Sequence, residues 1–306
     1  MAEFSIIETY FNRQRASKQV DLGIGDDSAV LSPPAHHQLV ICADTLVAGR
    51  HFPINTPAHA IGWKAVAVNL SDIAAMAAKP HSILLALSMP TVDHDWLQGF
   101  SDGLYACCER YGVQLIGGDT TQNPHLSLTV TAMGWIEHGK AVLRSGAQVG
   151  DLIVVSGRIG DAAFALQHPG HPLQKRLDYP TPRCELGLQL QGLASSMIDI
   201  SDGLVQDLGH ILAASRVGAQ VELNQLPIDP HLQSLAEKLR WQYALAGGDD
   251  YELCFTISQE NYQKLLALQP QVTTSVIGHI QAQPGLSFTL NGKAQPLQLH
   301  GYQHFA

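Results

Sequence analysis

Half of the aspartates in this 306-residue chain are crowded into six short segments. Nine of the 18 lie in GIGDD (Asp26, Asp27), CADT (Asp44), NLSD (Asp72), GGDT (Asp119), DISDG (Asp199, Asp202) and GGDD (Asp249, Asp250). Four of the six carry glycine beside the aspartate, and several follow an apolar run that reads as a strand. An unpaired carboxylate is too costly to bury in a core. A fold that accepts this pattern places the segments at strand ends or turns, where glycine lets a ligand approach the backbone. Each segment alone also reads as an ordinary turn or helix cap; Asp202 is placed to cap a helix beginning at Gly203–Leu204. Six of them, in a chain with only 15% charged residues, point to a shared site. Converging carboxylates repel one another and need cations. Asp without His or Cys partners suits the hard ions Mg²⁺, Mn²⁺ or Ca²⁺, and Ca²⁺ is disfavoured because no D-x-[DN]-x-[DN]-G loop is present. Magnesium held by carboxylates commonly serves phosphates. Phosphoryl transfer, where catalysis is mainly positioning and charge neutralisation, is therefore the favoured chemistry.

The remaining sequence narrows the class. Hydrophobic residues make up 45%, enough for a core, and the length suggests two domains at roughly 100–200 residues each. With 18 Lys+Arg against 27 Asp+Glu, a formal charge of −9 and no basic run, nucleic acid is excluded as a partner. No stretch reaches the roughly 18 apolar residues that span a bilayer, and no basic segment precedes an apolar one at the start. Five cysteines without a CxxC pair make neither a disulfide framework nor a cysteine zinc site. The expected setting is a reducing cytoplasm.

Periodicity predicts an N-terminal helical face of Phe4, Ile6, Ile7, Tyr10 and Phe11, helices over 60–78 and 95–111, and strands over 38–43, 82–88, 113–116 and 126–136. A polar, Gly-containing stretch at 138–151 puts the domain boundary between 1–140 and 141–306. The second half reads as strands at 152–155, 197–200, 221–223, 252–257 and 274–280, with helices near 183–193, 204–215 and 260–268. A Pro- and His-rich loop covers 168–182. SDGL occurs at 101–104 and 201–204, and its first copy inside a helix marks the repeat as coincidence. The near P-loop Gly134-x4-Gly139-Lys140-Ala141 lacks the Ser/Thr that binds Mg²⁺ and reads as a strand followed by a turn at His138–Gly139.

The segments run in one order through the chain: GIGDDSAVL (23–31), CADTLVAGRHF (42–52), KAVAVNLSDIAAMAAKP (64–80), LIGGDTT (115–121), RSGAQVGD (144–151), IDISDGLVQDLGHI (198–211) and GGDDYELCF (247–255), ending in GYQHF (301–305). Together they resemble the thiamine-monophosphate kinase family, within the ATP-binding superfamily that includes aminoimidazole ribonucleotide synthetase and selenophosphate synthetase. The resemblance implies a two-domain α+β fold: an N-terminal mixed sheet with helices that pairs across a homodimer, and a C-terminal α/β sandwich that completes the site. It implies the reaction ATP + thiamine phosphate → ADP + thiamine diphosphate. Carried over by motif, Asp27, Asp44, Asp72, Asp119, Asp199 and Asp202 would hold Mg²⁺. Backbone oxygens near Cys42 and Ala43 would contribute where the family often has Ser or Thr. Gly118, Asp119, Arg144 and Ser201 would contact ATP, and His51, Asp249 and Tyr302 would lie near thiamine monophosphate. Asp249 stands where the family usually has Glu. The rival readings are another synthetase of the superfamily, a Mg²⁺-dependent phosphatase, and a non-enzymatic acidic cation-binding protein. Selenophosphate synthetase is disfavoured because the first cysteine is Cys42.

Overall fold

The computed structural model describes residues 3–13, 18–297, 299 and 301. The chain divides into one unit of Met1–Ile73 and Ala78–Gly139 and a second of Ala74–Ala77 and Lys140–Ala306. The first unit opens on α1 (Glu3–Ile6), which continues as a π turn, Ile7–Phe11. That turn alters the expected apolar face. Side chains four and five apart are grouped by the wider π spacing, so Ile6, Tyr10 and Phe11 are buried while Phe4 is exposed. A hairpin follows, β1 (Val20–Leu22) and β2 (Val30–Leu31). Four long strands, β3 (His37–Val47), β4 (Lys79–Met89), β5 (Gln114–Gln122) and β6 (Ser127–Glu137), form a mixed sheet in the order β3-β6-β4-β5. Only β4 and β5 run parallel.

Two strands outrun their sequence signal, and both extensions carry site residues. Strand β5 was expected to stop at Ile116, since glycine disfavours strands. It continues through Gly117 and Gly118 because β4 supplies a parallel partner, with Leu85 opposite Gly118 and Ala86 opposite Asp119. Strand β3 likewise passes Ala43 and carries Asp44 opposite Val130 of β6. The helices α2 (Ala58–Ala75) and α3 (His94–Tyr111) match the expectation, and α3 ends at Gly112 with φ 64°. A helix as apolar on all sides as α2 belongs inside a core, and even Lys64, Asn69 and Ser71 are buried in it. The two helices cross backbone to backbone. A Cβ on Gly62 would stand 2.0 Å from the Phe100 carbonyl oxygen, and one on Gly103 would stand 1.9 Å from that of His59. The glycine of the first SDGL is thus a packing residue inside a helix. That of the second, Gly203, precedes a helix at φ 111°, so the two copies have unrelated uses.

In the second unit, β7 (Leu152–Ser156), β8 (Ala194–Asp199), β9 (Gly218–Glu222), β10 (Leu253–Ile257), β11 (Thr274–Gln281), β12 (Gly285–Leu290) and β13 (Lys293–Gln295) form one sheet. Its order is β13-β12-β9-β11-β7-β10-β8. The helices are α4 (Asp161–Gln167), α5 (Gln174–Asp178), α6 (Cys184–Gln189), α7 (Leu204–Ser215), α8 (Pro230–Gln233), α9 (Glu237–Ala246) and α10 (Gln259–Ala267). Ile153, Val155, Ile198, Leu208, Ile211, Val221, Trp241 and Ile277 belong to their common core. The short α5 was hidden by the Pro- and His-rich composition around it. Among the described residues no helix is long and apolar enough to cross a membrane. The five cysteines are free thiols, four of them buried.

Candidate functional site

The candidate residues of the first unit fall into two groups. One lies at the β5 edge of the sheet. The hairpin loop between β1 and β2 carries Asp26 and Asp27, and packing of Val20 against Ile116 and Met133 holds that hairpin to the sheet. The Asp27 amide donates to the neighbouring Asp26 carboxylate (2.8 Å) at the loop tip. Gly118 has φ 151°, and a Cβ there would lie 1.8 Å from the Leu85 carbonyl oxygen. Only glycine lets β5 lie this close to β4 and display Asp119 on the next residue. Asp26, Asp27, Gly118 and Asp119 all line one cavity of about 1010 Å³, whose apolar wall includes Phe11, Leu84 and Met133.

The other group lies at the β3 edge. Buried Asn69 on α2 anchors it. Its side-chain amide donates to the Ala65 carbonyl (3.0 Å), and its oxygen accepts from the Asp44 amide (3.0 Å). The Cys42 thiol meets the Asn69 carbonyl at 3.4 Å. Asp72 sits three residues further along α2, on the same face as Asn69. Burial, then the charges of Asp72 and Asp44, push the Cys42 thiol far above its ordinary range, so it stays a neutral thiol. His51 follows in the turn after β3, where its Nδ1 accepts from the Val47 amide (3.0 Å). Ala43 and Asp44 are exposed on the strand. Asn69 was missed in the sequence, although a lone amide inside the run VAVNLSD was a usable signal.

In the second unit the DISDG and GGDD segments are stitched together beyond the ends of β8 and β10. The Asp249 amide donates to the Ser201 carbonyl and the Tyr251 amide to that of Ile200, both at 2.8 Å. A Cβ on Gly248 would lie 2.3 Å from the Ser201 oxygen. Asp249 (φ 67°) and Tyr251 (φ 50°) both adopt left-handed backbone, which costs roughly 1–2 kcal/mol for each such residue. The Tyr251 hydroxyl donates to the Asp249 carboxylate (3.0 Å). Asp202 does not cap α7. Its carboxylate accepts from the Gln206 side-chain Nε2 (2.8 Å). The capping role belongs to Asp207, one turn into the helix, whose Oδ2 accepts from the amides of Ser201, Asp202 and Gly203, each at 3.1 Å. Burial, then the charges of Asp199 and Asp202, push Asp207 up to about 8 against the pull of those amides. The position of Asp207 four residues after Gly203 is a signal the sequence held. Arg144 is exposed, and its carbonyl accepts from Ser215, whose hydroxyl also caps the amides of Gly146 and Ala147. Tyr302 lies outside the described residues.

Among the described residues, no three His, Cys, Asp or Glu side chains stand close enough to hold a metal ion by themselves. The arrangement offers hard carboxylate oxygens on rigid backbone, in two units, in a chain of net charge −9.

The AIR synthase related protein models match both halves, the N-terminal domain over residues 25–136 and the C-terminal domain over 148–291. A thiamine-monophosphate kinase of Escherichia coli (strain K12) is 46% identical over 322 residues, covering 99% of this chain and 98% of its own. The chain belongs to the thiamine-monophosphate kinase family. The crystal structure of thiamine-monophosphate kinase from Stenotrophomonas maltophilia K279a superposes with a TM-score of 0.84 at 44% identity, covering 95% of this chain and 96% of that one. A solved structure of AaThiL complexed with AMPPCP and TMP has a TM-score of 0.78 at 30% identity, over 90% of this chain and 89% of that one. The fold is the two-domain α+β architecture of the thiamine-monophosphate kinases.

The Asp207 contacts make a stability prediction. Asp207→Ala strands three amides and should cost about 2 kcal/mol, read as a lower thermal midpoint by circular dichroism. Asp207→Asn keeps an acceptor oxygen and should cost less. Equal midpoints for wild type and Asp207→Ala would contradict the capping role.

Proposed function

We propose that this chain transfers the γ-phosphoryl group of ATP to thiamine monophosphate, giving thiamine diphosphate and ADP. The observation that carries this reading is the full-length match to the thiamine-monophosphate kinases, together with glycine-seated aspartate loops at the motif positions. A donor set of aspartate oxygens, from exposed Asp44 to buried Asp199, fits Mg²⁺. In this reading Asp27, Asp44, Asp72, Asp119, Asp199 and Asp202, with backbone oxygens of Cys42 and Ala43, hold the ions. Gly118, Asp119, Arg144 and Ser201 contact ATP, with the Arg144 guanidinium offering a planar fork to phosphate. His51, Asp249 and Tyr302 face thiamine monophosphate. Bound Mg²⁺ would supply charge neutralisation between the two phosphate groups. The attacking atom is a phosphate oxygen. A phosphate monoester has its second pKa at about 6 and is mostly ionised at neutral pH, so no side chain need take a proton. The protein's contribution is in-line alignment and electrostatic stabilisation. A reducing cytoplasm is the compartment this reading assumes.

The two groups of the first unit support a homodimer. Asp44 lies opposite Val130, Val130 opposite Leu85, and Leu85 opposite Gly118. Three strand spacings separate the rows, about 14 Å, too far for Asp44 and Asp119 of one protomer to share an ion. β3 and β5 are the outer strands of the sheet, the positions where a further strand can add, and β3 exposes Leu39 and Ile41. Closure of two four-stranded sheets into one barrel removes the edges. It would bring the Asp44 group of one protomer beside the Asp119 group of its partner.

Incubation with ATP, Mg²⁺ and thiamine monophosphate should give thiamine diphosphate and ADP. Phosphate release from thiamine monophosphate without ATP would mark a phosphatase instead. Asp27→Asn, Asp119→Asn and Asp202→Asn should each lower turnover at least about tenfold, or 1.4 kcal/mol; near wild-type turnover in all three would overturn the metal assignment. Mixing inactive Asp44→Asn with inactive Asp119→Asn protomers should restore about a quarter of wild-type activity, since half the dimers regain one intact site. No recovery on mixing would contradict a shared site.

A further inference from the structure

Behind the 247–252 turn lies a set of buried charges that the proposed reaction does not use. Glu252 is fully buried. Its carboxylate accepts from the Ser156 hydroxyl (2.6 Å), from Arg176 Nη2 (2.7 Å), from Arg183 Nε (2.6 Å) and from Arg183 Nη2. Gly157, at φ 56°, makes room for it, since a Cβ there would fall 2.1 Å from Glu252 Oε1. Two residues earlier, the buried Asp250 carboxylate accepts from the Gly160 amide (2.8 Å) at the start of α4. Arg176 also stands 3.7 Å from the fully buried Asp161. Arg176 comes from the Pro- and His-rich connection over 168–182 and Arg183 from the residue that follows it, just before α6; neither has been given a role in binding or chemistry above.

Along the turn, Asp250 and Glu252 engage this network, while the intervening left-handed residues Asp249 and Tyr251 donate their amides to the Ser201 and Ile200 carbonyls. A left-handed backbone at non-glycine residues persists only when the surroundings over-determine it. Bidentate guanidinium–carboxylate pairing supplies that rigidity, because its planar fork fixes both distance and direction. We propose that Glu252, gripped by Arg176 and Arg183, is a positioning residue that locks the left-handed turn and so sets how Asp249 meets thiamine phosphate. Residues 168–183 then govern substrate affinity without touching substrate. This inference rests on the reading that Asp249 faces thiamine phosphate.

The test uses Arg183→Lys and Arg176→Lys in the full chain, since Lys keeps the charge and loses the fork. Glu252→Gln is the harsher variant, and Lys264→Ala, at an exposed ion pair with Glu260, is the control. Two readouts are needed: KM for each substrate with kcat, and amide hydrogen exchange over 247–253. The Arg→Lys variants should raise KM for thiamine monophosphate about tenfold, with KM for ATP and kcat within about threefold. Exchange at Asp249 and Tyr251 should quicken, while the amides held by Asp207 stay protected. Unchanged KM and exchange, or a parallel rise in both KM values, would overturn the proposal. Faster exchange with unchanged KM for thiamine monophosphate would also overturn it and leave the kinase reading intact. If wild type makes no thiamine diphosphate, the kinase reading fails and the substrate role with it, whereas the exchange result still decides whether the clamp holds the turn.

Discussion

Backbone lies directly against backbone beside three of the aspartates this chain presents, Asp119, Asp202 and Asp249. Gly118 sits where a Cβ would be 1.8 Å from the Leu85 oxygen, Gly248 where it would be 2.3 Å from that of Ser201, and Gly203 where it would be 2.9 Å from the Ala246 carbonyl carbon. Any side chain at these positions forces two strands or turns apart, and at Gly118 and Gly203 the positive φ adds backbone strain. The contact matters because an aspartate is only as well placed as the backbone that carries it. Asp119, Asp202 and Asp249 each follow or precede such a glycine. The same device holds Gly62 and Gly103 where α2 crosses α3 in the first unit.

With the backbone set, the electrostatics follow. The loops gather acidic groups in a protein that is already acidic, and the repulsion is visible in Asp207, held up to about 8 by burial and its two aspartate neighbours. An acidic surface repels phosphates unless cations lie between them. Partly buried arginines are committed elsewhere, with Arg176 and Arg183 bound to Glu252, whereas Arg144 is left exposed. A division of labour results. In the proposed reading, arginines bound to Glu252 hold the turn, and the aspartates whose amides Asn69 and Asp207 fix are the groups that would meet cations. The kinase reading needs both, because phosphoryl transfer gains most from alignment and neutralised charge.

The six aspartate segments were legible in the sequence because their composition is local, although the expected turns held only in part: Asp44 and Asp119 lie on strands and Asp72 on a helix. The α+β class and most long elements were legible for the same reason, through apolar periodicity. What was hidden depends on partners distant in sequence. Strand β5 runs through two glycines only because β4 pairs with it, and Asp44 lies inside β3 only because β6 does. Asn69 and Asp207 act on residues 25 and up to six positions away; the motifs around them show the residues but not the partners. Arg176 sits in a stretch whose prolines and histidines read as loop, and Arg183 at the start of the helix expected after it. Sequence order also carries no hint that Asp44 and Asp119 occupy opposite edges of one sheet.

The central claim is that these carboxylates engage phosphate only through a divalent cation. Calorimetric titration of the wild-type protein with a non-hydrolysable ATP analogue tests it without depending on turnover. With Mg²⁺ present the analogue should bind, and with the cation chelated its affinity should fall at least about tenfold, since uncompensated carboxylates then face its phosphates. Equal affinity with and without the cation would contradict the account.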